Sequence, residues 1–516
     1  MVKKNSELKP GILLNYVNMG IGNLIPIFYT PIMLRLLGQN EYGLYKLSSS
    51  VTGYLGLISL GIGAAVTRYL IKAKTEEGQD AEERMLGLFL LIFRIIAVIA
   101  FILGLVLIAN LDIWYRDSLN LDEMWRMQIL VFIMVCNMSL SFSMSPYLSI
   151  VTAREKYIFY QWMNILNTCI VPILSLVALY MGYASIGLAV VSLAVALVVR
   201  IVYSIYVTKS LGITPRYKNL PLHCLKEIML FSFWVFVGNV VGQLYNATDT
   251  LMIGAIPALA TAAVAIYNIG NTFNSIILGL TTGLSNLLVP RTNKMVFNGA
   301  TNEELTDYSI LVGRLQCYIL SFIVTGFVLF GKPFIHFYVG DSYLDAYWVA
   351  LCVMIPNMIP LAQSVCLSVI VAKNQHRFRS LMYLSIAILN VIGTWLVLHE
   401  WGIIGAALVT GLALIVGNGF VMNWYYWKKT GMQIGRFWLQ MLRVLVIPIV
   451  LCVLCIPIVN MFDFYHIWNF IGGIASFSVL LIVLQWKFAM NSYEKQLCCQ
   501  PFVKLSMVKG RKKSHE

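Results

Sequence analysis

What most limits the fold of this chain is a succession of apolar stretches, each long enough to cross a bilayer, separated by short polar loops. A helix needs about 20 apolar residues to span the hydrocarbon core. By that measure the sequence predicts spans near 12–36, 44–70, 85–109, 126–152, 158–181, 184–208, 228–256, 260–290, 307–331, 346–372, 380–399, 402–427, 437–460 and 466–487. Of the 516 residues 59% are hydrophobic and only 12% charged, whereas soluble chains are about a quarter charged. Such a chain cannot cover itself with polar surface, so the solvent that suits it is a bilayer. The loops, including the longest at 110–125 and 332–345, are too short to fold as separate domains.

The formal charge of +14 raises the question of nucleic acid, but its distribution answers it. Lys and Arg gather in clusters at alternate loops. If the N-terminus faces the cytoplasm, the inner segments hold 28 of the 37, the outer ends hold five (Arg35, Lys46, Arg116, Arg126 and Lys332), and four lie within spans. That is the asymmetry expected of membrane topology, and it predicts cytoplasmic N- and C-termini in a plasma membrane. The polar start and long first apolar run read as a retained helix, with no removable signal peptide. The ten cysteines are scattered; Cys452 and Cys455 form a C-x-x-C within an apolar run and read as buried small residues. Gly326–Lys332 imitates most of a phosphate-binding loop, but Pro333 stands where a Ser or Thr should reach magnesium. No metal or other cofactor is expected.

The two halves echo each other. At an offset of 222, Gly20 meets Gly242 and Tyr45 meets Tyr267; at 220, Arg94 meets Arg314; at 218, IGLAVVSLA from Ile186 meets IGAALVTGL from Ile404. The drift is ordered, as small loop changes would make it. The predicted organisation is therefore an all-α integral membrane protein of about fourteen helices. Residues 1–210 form a six-helix bundle, 211–427 repeat it about a pseudo-two-fold axis along the membrane normal, 428–490 add two helices as an appendage, and 491–516 are a basic cytoplasmic tail.

The segments PIMLRLLGQNEYGLYKL (31–47), GIGAAVTRYL (61–70) and NATDTLMIGAIPALATAAVAIYNI (246–269) resemble bacterial polysaccharide and O-antigen flippases of the multidrug/oligosaccharidyl-lipid/polysaccharide exporter superfamily. Pro257–Ala260 departs from the Leu-Gly turn more common there. The resemblance implies a non-enzymatic transporter. Its cargo would be an undecaprenyl-pyrophosphate-linked oligosaccharide, moved from inner to outer leaflet by alternating access for O-antigen, capsule or exopolysaccharide synthesis. Membrane lipids are the expected surroundings, and nucleic acid is not an expected partner. A coupling ion (H+ or Na+) and polysaccharide polymerase machinery are partners the resemblance leaves open.

An anionic, hydrated headgroup needs a polar and cationic passage, so intramembrane polar residues are the candidates. Asp249, whose short side chain cannot snorkel far, is the candidate for ion coupling, against a structural hydrogen bond to Thr248, Thr250 or the backbone. The paired Arg94 and Arg314 suit a pyrophosphate through parallel guanidinium hydrogen bonds, with snorkelling to lipid phosphates as the alternative. Arg35, Lys46 and Arg68 join them as cavity candidates. Asn18, Asn23, Asn239, Gln243, Tyr245 and Asn246 suit sugar hydroxyls and rings, or equally hold helices together. Pro26 and Pro31 are candidates for a gating bend in helix 1. Arg200 and Arg443, nearer helix ends, read as anchors. Three other functions remain open: a MATE-type drug or cation antiporter, a lipid II flippase and, from a different class, a membrane-embedded polysaccharide polymerase or ligase.

Overall fold

A computed structural model describes residues 8–373 and 375–496. With no water in the hydrocarbon to satisfy backbone groups, a spanning chain must pair them internally, and helices do so segment by segment. Every regular element among the described residues is helical. In chain order these are α1 (Leu8–Leu37), α2 (Gln39–Leu55), α3 (Ile62–Glu77), α4 (Gln79–Ala109), α5 (Leu111–Tyr115) and α6 (Leu121–Ala153). Next come α7 (Tyr157–Tyr180), α8 (Ala184–Ile205), α9 (Leu225–Ala255), α10 (Ala260–Phe297), α11 (Asn302–Val339) and α12 (Ala346–Ala362). The series ends with α13 (Ser364–Ala372), α14 (His376–Leu414), α15 (Asn423–Lys428), α16 (Ile434–Met461) and α17 (Ile467–Leu484).

Eleven of the described helical stretches are long and apolar enough to cross a membrane, or twelve if the pair α12–α13, bent by 50°, counts as one span. Two features reconcile these with the fourteen spans of the sequence. The stretch Phe378–Lys428 is 51 residues long and is interrupted at Gly402 (φ 56, ψ −147). Its two arms fold back on each other: a Cβ at Gly393 would meet Val409 at 2.8 Å, and one at Gly405 would meet Val397 at 2.8 Å. The second predicted span is split into α2 and α3 by a 3₁₀ turn, Gly56–Ser59. Leu60 (φ 49) and Gly61 (φ 71) follow it in the left-handed region. Glycine is required at 61 twice over, since a Cβ there would also lie 2.8 Å from the Phe236 amide and the Ser232 carbonyl.

Large apolar side chains stand exposed along the helices, among them Ile95, Val98, Ile102 and Val106 of α4 and Leu389, Ile392 and Leu396 of α14. Bilayer lipid is what would cover such a surface.

Two compact units divide the chain: Met1–Ile276, Trp348–Cys352 and Arg377–Ala413 form the first, and Ile277–Tyr347, Val353–His376 and Leu414–Glu516 the second. These units do not follow the repeat boundary at 210/211, because α9 packs on α2 and α3 as part of the first. Within that unit polar contacts gather at two helix ends. At one, Arg126 pairs with Glu41, which also accepts from Ser185. At the other, Arg154 pairs with Glu82, and Arg216 with Asp80 and Glu83 at 2.8 Å. Between the two lies the apolar core, including Leu70, Leu86, Phe89 and Phe93.

In the second unit the two added helices, α16 and α17, pack along α11. Phe437, Met441 and Val444 of α16 pack against Cys317 and Tyr318 of α11. Phe330 of α11 meets Phe464, Phe470 and Phe477 with ring centroids 5.3, 6.5 and 6.0 Å apart.

Candidate functional site

In the first unit, three elements converge on one carboxylate. Asp249, six residues before the end of α9, is 1% exposed. Tyr267 of α10 donates its hydroxyl to Oδ2. Thr410 and Thr394, on opposite arms of the α14 hairpin, donate at 2.8 Å and 3.3 Å. The partners foreseen for Asp249, the adjacent threonines and the backbone, are thus replaced by hydroxyls from other helices. Asn390, one turn before Thr394, brings its Oδ1 within 3.2 Å of the same Thr410 hydroxyl.

One hydroxyl cannot donate one proton to both Asp249 and Asn390, and Asn390 Nδ2 has no partner. Turning the amide over would leave its Oδ1 alone instead, so one amide atom goes unpaired in either orientation. No Lys or Arg among the described residues pairs with Asp249. A desolvated carboxylate ringed by neutral oxygens and lacking a counter-cation is suited to taking up a proton or a small hard cation. Asn390, Thr394 and Thr410 went unnoticed in the sequence. The available signal was Asn390 and Thr394 at i, i+4 in an otherwise apolar run, which puts both on one helix face.

The cationic candidates have separate surroundings. Arg94, exposed, lies 5.6 Å from the Tyr217 ring centroid, and Arg68, also exposed, lies 5.1 Å from that of Phe231. Lys46 is half-buried over Tyr42 at 5.5 Å, and Arg35 is exposed near the end of α1.

Arg314 behaves otherwise and corrects the pairing with Arg94. It is 6% exposed, and its guanidinium is bound by Glu494 at 2.6 and 2.9 Å, the Ala489 carbonyl at 2.8 Å and Tyr318 at 3.0 Å. Glu494 follows α17 and is itself fully buried. The guanidinium is occupied by the chain's own carboxylate, and a phosphate could reach it only by displacing that pair.

Among the amides, Asn18 donates to Gln161 of α7 at 3.4 Å, and Gln161 donates to Asn15 at 3.1 Å, so these groups join α1 to α7. Asn23 and Tyr245 are half-buried and Asn239 is exposed. Gln243 lies against Gly53, where a Cβ would come within 2.6 Å of its Nε2. The side chain of Asn246 lies outside the described residues. Helix α1 runs unbroken through Pro26 and Pro31.

Known proteins were compared with the chain. A family model described as "Polysaccharide biosynthesis protein" matches residues 8–296. No curated protein matches the sequence. Among solved structures, "Lipid II flippase MurJ, inward closed conformation" is similar at a TM-score of 0.72 and 12% identity, covering 96% of this chain and all of that one. An inward-facing multidrug resistance MATE family transporter of the MOP superfamily matches at 0.60 and 11% identity, over 81% and 94% of the two chains. The Vibrio cholerae MATE transporter VcmN in the bent form matches at 0.52 and 16%, over 84% and 98%. The fold is therefore that of these membrane transporters.

Proposed function

The chain belongs to the polysaccharide biosynthesis protein family, and from that premise we propose that it is a flippase for a lipid-linked oligosaccharide. An undecaprenyl-pyrophosphate-linked oligosaccharide passes from the inner to the outer leaflet of a bacterial plasma membrane by alternating access, to feed surface polysaccharide synthesis. The observation that carries this beyond the family is coverage. The likeness to the lipid II flippase takes in 96% of the chain, whereas those to the two MATE transporters stop at 81% and 84%. The 28-to-5 distribution of Lys and Arg supports cytoplasmic termini.

Arg35, Lys46, Arg68 and Arg94 are the proposed contacts for the anionic head, with Asn23 and Asn239 among those for its sugars. Asp249 takes up the coupling ion, H+ or Na+. The oxygen cluster around it suits an ion-coupled antiporter equally well, which keeps the MATE-type reading as the alternative.

The decisive experiment is deletion of the gene in its host. Lipid-linked repeat units are expected to accumulate on the inner leaflet and to return to the outer leaflet when the wild-type chain is supplied. Normal delivery in the deletion strain, with no second flippase present, would remove the assignment.

A further inference from the structure

Arg200 is the intramembrane cation whose structural setting departs furthest from its sequence reading as a lipid anchor. It stands in α8, with ten further residues to the end of the helical turn at Ser210, or about 15 Å along the axis. A snorkelling side chain would run toward that end. This one points the other way, as side chains on a helix lean toward its N-terminus. Nη2 donates to Asn137 Oδ1 at 3.1 Å and to Ser141 Oγ. Those residues lie sixteen and twelve positions before the end of α6 at Ala153, deeper than Arg200 itself.

Around Arg200 is a cleft of about 310 Å³, lined by Ser141 and Ser145 of α6, Asn164 and Asn167 of α7, and Arg200 and Tyr203 of α8, with apolar side chains between them. Helices α6 and α7 each pack along α8 but barely touch each other, so α8 forms the floor of the space between them. Two polar atoms there lack partners: Arg200 Nη1 and the hydroxyl of Tyr203, a residue 4% exposed. No acidic side chain lines the cleft. A desolvated guanidinium without a carboxylate, beside a free phenol and side-chain amides, is an unfinished anion site. Its volume, at the lower end for small-molecule pockets, suits a single phosphorylated sugar better than a whole oligosaccharide.

We propose that the α6–α7–α8 cleft binds the phosphate and adjoining sugar of a lipid-linked saccharide, with Arg200 and Tyr203 on the phosphate and Asn164 and Asn167 on the sugar. The proposal rests on the flippase reading for its ligand, but its site stands on the geometry of the cleft. An ordinary anionic phospholipid could offer the same phosphate, so the test must separate the two sources.

The test uses the full chain in nanodiscs, with binding of an undecaprenyl-pyrophosphate-linked disaccharide and of phosphatidylglycerol each measured by native mass spectrometry. Arg200→Gln and Tyr203→Phe are compared with wild type, and thermal unfolding checks that each variant is folded. Arg200→Gln is expected to weaken the saccharide lipid at least about tenfold and leave phosphatidylglycerol unchanged; Arg200→Lys should recover part of the loss. Equal loss of both lipids would overturn the sugar assignment in favour of a phospholipid site. Unchanged saccharide binding in a folded Arg200→Gln variant would overturn the site itself. Translocation of the same lipid in vesicles is scored separately. Arg200-dependent binding without wild-type translocation would sink the flippase reading and leave the cleft standing. Translocation with Arg200-independent binding would do the reverse.

Discussion

A buried carboxylate without a counter-cation persists only if something neutralises or coordinates it, and the residues around Asp249 indicate how. Three hydroxyls from two other elements hold it; a hydrogen bond to a charged acceptor contributes about 1.5–3 kcal/mol. Asp249→Asn is therefore expected to abolish the dependence of transport on the ion gradient in a chain that still folds. Thr410→Val should retain that dependence but need about tenfold or more ion; a wild-type ion titration for Thr410→Val would remove Thr410 from the site. Arg314 and Glu494 make a different case. Burial alone would push the Glu494 carboxyl up, but hydrogen bonds from Arg314, the Asn491 amide and Tyr318 outweigh it and hold the carboxyl below its usual range. Its ionised form is favoured by folding, so the stabilisation is present above the unfolded value of about 4.3 and fades as pH falls through the lowered folded value. Removing one partner of a buried pair typically costs about 3–5 kcal/mol. Glu494→Gln should lower the melting temperature at pH 7 and flatten its decline in acid, as a melting series in detergent would register. Asp249 was legible because a carboxylate stands out in an apolar helix. Arg314 misled because its partner lies 180 residues away in a segment that reads as a polar tail, and only packing joins them.

Element lengths follow from bilayer thickness, so the positions of the spans were legible. The breaks inside them were not. Hydropathy sums over a window and passes through Gly56–Gly61 and Gln363 without a signal, because a local change of backbone path hardly alters the apolar content; the break at Gly402 was visible, since two predicted spans meet at 399–402. The close approach of α2 to the start of α10 is equally silent in composition. At Gly43 an added Cβ would fall 1.8 Å from the Thr261 carbonyl oxygen, a contact that real atoms cannot make. Flanking it, Gly254 faces Leu47, where a Cβ would sit 2.6 Å away, and Tyr54 shares a hydrogen bond with Thr248 of α9. Small residues let helices meet where lipid offers no hydrophobic drive. Gly43→Ala must push two backbones apart, and overpacking typically costs about 1–3 kcal/mol. The expected outcome is a lower melting temperature and reduced crosslinking between cysteines placed at 54 and 248, whose side chains meet in the wild type, compared with the same pair in the wild-type background. Wild-type crosslinking with an unchanged melt would show that α2 does not pack there.

For the whole molecule, the distribution of charge carries the topology, and the fold gives it a structural counterpart. Within the first unit three acidic residues near Lys and Arg clusters are committed to ion pairs, Glu82 with Arg154 and Asp80 and Glu83 with Arg216. At the other ends of the same helices, Glu41 holds Arg126 and Ser185. Pairing thus engages Arg126 among the few positive charges at one end and leaves a surplus at the other, where Lys72, Lys74 and Lys209 stand with no ion-pair partner among the described residues. Anionic lipid heads and the insertion machinery retain such a surplus on the cytoplasmic side. Single cysteines at Lys74, Glu155 and Lys209 in a cysteine-free chain should therefore resist a membrane-impermeant maleimide in intact cells and react after lysis. Cysteines at Asp117 and Asp341, on the short opposite loops, should react before it. The alternation is a strict test, because one span miscounted between Asp117 and Asp341 would reverse every site beyond it. Labelling of Asp117 without Asp341 would therefore locate the error to the intervening helices, the split α2–α3 being already excluded by its position before both.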